Sequence, residues 1–381
     1  MSGSSQTPLD PAAGGVTDAR GATAAEEAVE ARAAGAPRRW TVTRVALGLV
    51  AAVVVVWLVV KASEDLRQFA VVSLNGITLA ALFFVVASGF TLIFGLMRVV
   101  NMAHGSLYLL GGYLALEMQD SWFKEEVGGL GISLAGEAGA EYDLVGWLVP
   151  LVLATLIIGV LGVIMQQVFL RWNQGQDLRQ ALITIALSVI FADQMLAAFG
   201  GISKDIKTPT DWPESIALPG DVRFGFFRGV IVLGAAVLIG LLLWWLITRT
   251  RFGKIVRAGV DDREMVSALG INVQLVFAAA FFLGAVLAGL GGVLGGTMIS
   301  LAPGEDTSFL LNSLIVVIIG GMGSLAGAAI GALALGLVDA YGDVYLVFGD
   351  TDLTNYSILL TFALLVAVLA VRPLGLFGRP A

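Results

Sequence analysis

Apolar residues along this chain fall in long uninterrupted stretches, not in the alternating or 3.6-residue stripes of half-exposed elements. A helix needs about 20 residues to cross the roughly 30 Å hydrocarbon layer of a bilayer. Uncharged stretches of that length, divided where they are too long, predict ten spans, near 42–61, 70–94, 99–117, 144–170, 181–199, 229–248, 275–297, 307–321, 324–341 and 355–371. Two divisions rest on short signals. The run from Ala70 to Val100 is broken only by Arg98 after Gly95. The run from Thr307 to Val338 carries no charge, and its turn is inferred from Gly320, Gly321 and Gly323.

Composition agrees with the pattern. Of the 381 residues, 57% are hydrophobic and 13% charged, against about 45–50% and about 25% in a typical soluble domain. The expected fold is an all-α polytopic membrane protein with about ten transmembrane or re-entrant helices. Residues 1–39 are rich in Ala, Gly, Ser and Glu and poor in large apolar side chains, so they read as a disordered cytoplasmic tail. Residues 40–381 form the membrane domain. Arg38 and Arg39 ahead of the first apolar run could belong to a signal peptide, but Val60-Lys61-Ala62 lacks a small-x-small cleavage pattern, which favours an uncleaved span.

Orientation follows from the loops. With the N-terminus inside, 15 of the 22 Lys and Arg residues fall on the cytoplasmic side, as the positive-inside bias requires. Both termini are therefore expected in the cytoplasm. A net charge of −7 removes the basis for a nucleic-acid partner. With no cysteine and one histidine there are no disulfides, no thiolate sites and no metal constellation.

The run Gly321-Met-Gly-Ser-Leu-Ala326 fits a dinucleotide fingerprint, but both its flanks are predicted spans, so close helix packing in lipid is the better reading. No phosphate-binding G-x-x-x-x-G-K-[ST] loop occurs, so no cofactor is expected on this chain. Any ATP that drives it must be hydrolysed by another subunit. No catalytic residue is expected either. The interior carries few ionisable side chains, which is thin for a carrier driven by ion gradients.

Candidate substrate-path residues are polar groups inside apolar spans. Asn101 and His104 form a cluster that either closes a helix break, satisfying freed backbone groups, or lines the path. Asp193 divides in the same way. Asn75 and Asn312 are weaker candidates, with interhelical hydrogen bonding as the alternative. The inner loop 249–274 carries a short helix pattern near Asp262 to Leu269. Asp261 can cap it, Glu264 can complete a capping box, Met265 and Leu269 share a face, and Gly270 can end it. Such a helix suits docking to a partner, with Arg257, Asp262, Arg263 and Glu264 as a polar rim. A membrane-surface helix is the alternative.

At these residues the sequence resembles the permeases of branched-chain amino acid ABC importers, in particular their H-type subunit. The resemblance covers roughly 70–380. It is carried by Leu92-Ile-Phe-Gly95 running into Val100-Asn-Met-Ala-His-Gly105, by Gly253 to Asn272 with Arg257-Ala-Gly259 and Leu269-Gly-Ile-Asn272, by Gly320-Gly-Met-Gly-Ser-Leu-Ala-Gly327, and by Arg372-Pro-Leu-Gly-Leu-Phe-Gly378. It implies a multi-pass subunit of the bacterial inner membrane that pairs with a second permease, binds two cytoplasmic ATPases through the inner loop, and receives substrate from an external binding protein. Related permeases serve urea and short amides, an alternative the residues do not separate. The sequence departs from the family in its tail and at Asp193, where the family often carries an uncharged residue. The rival outside the family is a self-sufficient carrier or channel.

Overall fold

The computed structural model describes residues 52–97, 100–122, 144–173, 175–220, 222–261, 263–348 and 351–378. The expected tail, the first part of the first span, Arg98 and Asp262 lie outside them. The chain divides into two units, residues 1–66 and 67–381. In the first, the described part is a helix over 52–64 in which Lys61 Nζ donates to Glu64 Oε2 at 2.7 Å.

The second unit is predominantly helical. Its helices are α1 (Leu66–Met97), α2 (His104–Trp122), α3 (Leu144–Ile164), α4 (Asp177–Phe199), α5 (Leu233–Arg249), α6 (Arg251–Asp261), α7 (Arg263–Ala268), α8 (Val273–Met298), α9 (Glu305–Gly320), α10 (Leu325–Tyr345) and α11 (Ser357–Val371). A π-helical segment, Met165–Leu170, prolongs α3, and another, Phe227–Val232, leads into α5. Two small antiparallel hairpins sit in loops: β1 (Ser215–Leu218) with β2 (Val222–Gly225), and β3 (Val347–Phe348) with β4 (Thr351–Asp352).

Every stretch expected to cross contains a helix. Among the described residues, six helical stretches, α1, α4, α8 and α10 among them, are long and apolar enough to span a bilayer by length and composition, which makes this a multi-pass membrane protein. The uncharged run from residue 307 divides as expected: α9 ends at Gly320, and α10 starts at Leu325 with Ser324 Oγ accepting from Gly327 N at 3.0 Å. With 16 residues, α9 is only about 24 Å long at 1.5 Å per residue.

The core sits where α1, α2 and α8 meet. Residues 80–93 of α1 are buried on every face, so an amphipathic pattern was never available there. Between α2 and α8 the main chains come very close. A Cβ added at Gly292 would stand 1.8 Å from the Tyr108 carbonyl oxygen, and small residues at such crossings let helices associate without help from water. By contrast α4 leaves most of its apolar surface exposed, including Leu182, Val189 and Ile190.

Loops gather at two ends. At one, Lys204 and Leu301 exchange main-chain bonds of 2.9 and 2.7 Å, and the Gln119 amide both donates to and accepts from the Lys207 backbone at 3.1 Å. At the other, three of the four segments that carry the family resemblance converge. Gly321, at φ +98°, turns the chain between α9 and α10, a conformation that a side chain would strain. Residues after α11 then clasp the end of α9: Leu376 N donates to Ile319 O at 2.9 Å and Phe377 N to Gly320 O at 3.0 Å. Gly95, near the end of α1, faces Gly323 across the same knot.

Candidate functional site

The polar residues Asn101 and His104 sit where α1 has ended and α2 begins, as expected from the sequence. The break is closed by local chemistry. Asn101 Oδ1 accepts from Ala103 N at 3.1 Å, Asn101 O accepts from His104 N at 3.2 Å, and Thr184 Oγ1 on α4 accepts from Met102 N at 3.2 Å. Each freed main-chain donor from 102 to 104 is thus satisfied, which an irregular backbone at membrane depth requires.

Closing the break does not use up these side chains. His104 Nε2 lies 3.0 Å from the Val86 carbonyl oxygen. A carbonyl only accepts, so Nε2 carries the proton and Nδ1 is left as an acceptor. The imidazole is held edge to face against Phe90, with centroids 5.5 Å apart. His104 Nδ1 and Asn101 Nδ2 are both buried without a hydrogen-bond partner in the chain: one acceptor and one donor, three positions apart. Such orphans are costly in an apolar medium.

From the break a polar seam runs along the α2–α4 contact. Ser106 Oγ lies 2.8 Å from Ser188 Oγ and donates to Asp306 Oδ2 at 3.4 Å. The α2 main chain comes close to α9 here, since a Cβ on Gly105 would fall 1.9 Å from the Asp306 carbonyl oxygen. The seam leads to a cavity of about 390 Å³ between α2, α4 and the first turn of α9, lined by Leu109, Tyr113, Asp193, Met195, Asp306 and Thr307 among others.

Of the expected path residues, the structure places Asn101 and His104 at the break and an exposed Asp193 on the wall of this cavity. Asn75 on α1 and Asn312 on α9 are half-buried and do not line it. Thr184, Ser188 and Asp306 were not anticipated. A signal existed for the first two: they stand four apart on α4, so they share one helix face. Asp306 lies just ahead of the span expected from residue 307, in the first turn of α9, where an acidic residue is ordinary.

The inner loop folds as two helices, α6 and α7, where one was expected. Val256 and Val266 are buried beside Phe277 of α8, which fixes the pair to the membrane domain. Met265 is 58% and Leu269 72% exposed. Gly270, at φ +79°, ends α7 and donates its N–H to Ser267 O at 3.0 Å, as the expected C-cap should. The side chains of Asp261, Asp262, Arg263 and Glu264, and with them the expected capping box, lie outside the described residues.

A family model described as "Branched-chain amino acid transport system / permease component" matches residues 72–369. The chain belongs to this family. Its match covers the break, the seam, the cavity, the α6–α7 pair and the Gly321 turn together. The permease is 29% identical over 319 residues to the "High-affinity branched-chain amino acid transport system permease protein BraD" of Pseudomonas aeruginosa, covering 80% of this chain and 94% of that one. It is also 29% identical over 326 residues to LivH of Escherichia coli K12, covering 84% and 98%. To the probable permease LivH of Methanocaldococcus jannaschii it is 25% identical over 296 residues, covering 77% and 87%. The family consists of transport permeases and not enzymes. This permease is accordingly one component of a larger transport system.

Proposed function

We propose that this permease is the transmembrane subunit of an ATP-driven importer of branched-chain amino acids in a bacterial inner membrane, working with a second permease, two cytoplasmic ATPases and an external binding protein. The observation that carries the reading is the folded, anchored α6–α7 pair, with Met265 and Leu269 exposed on a segment that also carries Arg249, Arg251, Lys254 and Arg257. Closure of the ATPases would reach the core as a push through this pair onto α8. ATP itself binds the partner subunits.

The substrate path in this reading runs along the α2–α4 seam, past the break. Asp193 supports it, because an exposed carboxylate on a membrane helix belongs against water or a partner and not against lipid. Much of α4 would then face the second permease and the path between the two.

The deciding experiment is reconstitution. The full assembly in proteoliposomes should take up leucine only with ATP inside the ATPase compartment, and this chain alone should not transport. Transport by the chain alone would establish a self-sufficient carrier instead. Uptake of urea or a short amide in place of leucine would move the substrate assignment within the family. Orientation has its own test: a cysteine at Ser203 should react with an impermeant outside reagent and one at Ser267 should not, and the reverse pattern overturns a cytoplasmic α6–α7 pair.

A second prediction concerns the break. His104→Gln should keep the permease inserted and assembled while lowering uptake about tenfold, because it disturbs the Val86 contact and the acceptor at Nδ1, each the scale of a buried hydrogen bond. Normal uptake with normal assembly would remove the path role.

A further inference from the structure

We propose that the cavity between α2, α4 and the first turn of α9 is a binding site within the permease for the charged end of a free aliphatic amino acid in transit, its ammonium against Asp306 and Asp193 and its carboxylate against the hydroxyls of Tyr113 and Thr307. The inference rests on the importer reading and adds to it a site with assigned roles.

The two acids alone would not make a site. Tyr113 supplies the independent observation. It lines the cavity, is 1% exposed, and its hydroxyl is buried with no hydrogen-bond partner in the chain. Its ring is held in place by parallel stacking on Phe199, with centroids 4.4 Å apart and planes 4° from each other. A rigid hydroxyl left without a partner, on a wall that also carries two carboxylates, is poised for a ligand.

The charge of the lining narrows the ligand. Two carboxylates face the space and no Lys or Arg lines it, so a bare anion is repelled and a cationic group is matched. Asp306 is 5% exposed, and Ser106, its hydrogen-bonding neighbour, is at a long 3.4 Å, which leaves its carboxylate capacity for a charged donor. The hydroxyls of Tyr113 and Thr307 on the same wall can donate to a carboxylate. Groups for both ends of a zwitterion are therefore present. The remaining wall is apolar, with Leu109, Val189, Met195 and Leu196 available to an aliphatic side chain. At about 390 Å³ the volume lies in the roughly 300–1,000 Å³ range of small-molecule sites. Urea and simple amides carry neither charged group and would leave both acids unpaired.

The test uses the complete assembly in proteoliposomes and photo-leucine, a diazirine analogue of leucine, with labelled peptides mapped after illumination. Labelling is expected on residues 107–115, 189–196 or 303–307. Excess leucine should block it. Neither 4-methylpentanoate, which lacks the ammonium, nor 3-methylbutylamine, which lacks the carboxylate, should block it at the same concentration. Asp306→Asn should lower labelling about tenfold, and the nearly isosteric Tyr113→Phe about fivefold, the scale of one lost hydrogen bond. Tyr113→Phe keeps the ring and its stacking, so it also guards against a folding defect in the other variant.

Labelling confined to other segments, or unchanged by both substitutions, overturns the site while ATP-driven leucine uptake by the wild-type assembly keeps the importer reading. Block by 4-methylpentanoate as strong as by leucine overturns the role of the acids. Absence of ATP-driven leucine uptake in the wild-type assembly overturns the importer reading on which the site depends.

Discussion

Gly105→Ala is expected to abolish uptake. The added methyl would stand 1.9 Å from the Asp306 carbonyl oxygen and 2.9 Å from Leu310 Cβ, and a main-chain oxygen cannot turn aside as a flexible side chain can. The first turn of α9 has to leave α2 by more than an ångström, which takes Asp306 away from Ser106 and opens the wall of the cavity. Overpacking of this kind costs about 1–3 kcal/mol where the surroundings can yield, and contact with backbone belongs at the upper end. Membrane abundance, thermal stability in detergent and ATP-driven uptake together check it. Gly234→Ala is the control: nothing lies within 4 Å of the Cβ it would add on α5, so uptake should be unchanged. Wild-type uptake by Gly105→Ala would mean that α2 and α9 are not in this contact in the working transporter.

Replacing residues 263–269 with a Gly/Ser linker of equal length should eliminate ATP-driven uptake with insertion intact. Val266 is 3% exposed against α8, while Met265 and Leu269 are turned outward. One side of α7 is thus anchored in the permease, and the other is exposed where an ATPase can seat. A flexible linker loses both contacts and transmits no push. Just past the end of α7, Leu269→Ala should weaken ATPase association about fivefold or more, as truncating a buried interface anchor typically costs about 1 kcal/mol or more. Arg263→Ala should cost less, because rim charges act mainly on encounter rate. Co-purification of the ATPase with each variant gives the comparison. ATPase binding that survives loss of both Met265 and Leu269 would instead mark α7 as a membrane-surface helix.

The helices were legible because hydrocarbon thickness imposes a length and forbids charge, and those two constraints leave a plain trace. Even the division before Leu325 could be read, since Gly321 and Gly323 sit at positive φ in the turn. The break at Asn101 showed as a polar cluster in an apolar run. What was hidden is what depends on pairing between distant segments. Thr184 reaches Met102, and Ser106 reaches Asp306, across 82 and 200 positions, and no local pattern encodes such partners. The helix α6 was missed for a different reason: the cap and spacing signals of the loop all fall on Asp261 to Gly270, and its five basic residues and three glycines from Thr248 to Gln274 obscure the second pattern, in which Phe252 and Val256 stand four apart on one face and pack toward the α8 end of the core.

The clasp of Leu376 and Phe377 on the end of α9 gives synthesis an order. Chains are made from the N-terminus, so α9, its turn and α10 leave the ribosome well before the residues that cover the α9 terminus. Until then the carbonyls of Ile319 and Gly320 lack their final partners, at a helix end that has no intrahelical donors to offer them. A ribosome that stops short of Leu376 releases a chain in which α1 to α11 have been made and this one end is uncovered. Leu376 and Phe377 thus act as a seal that can be laid on α9 only after α10 and α11 have been made.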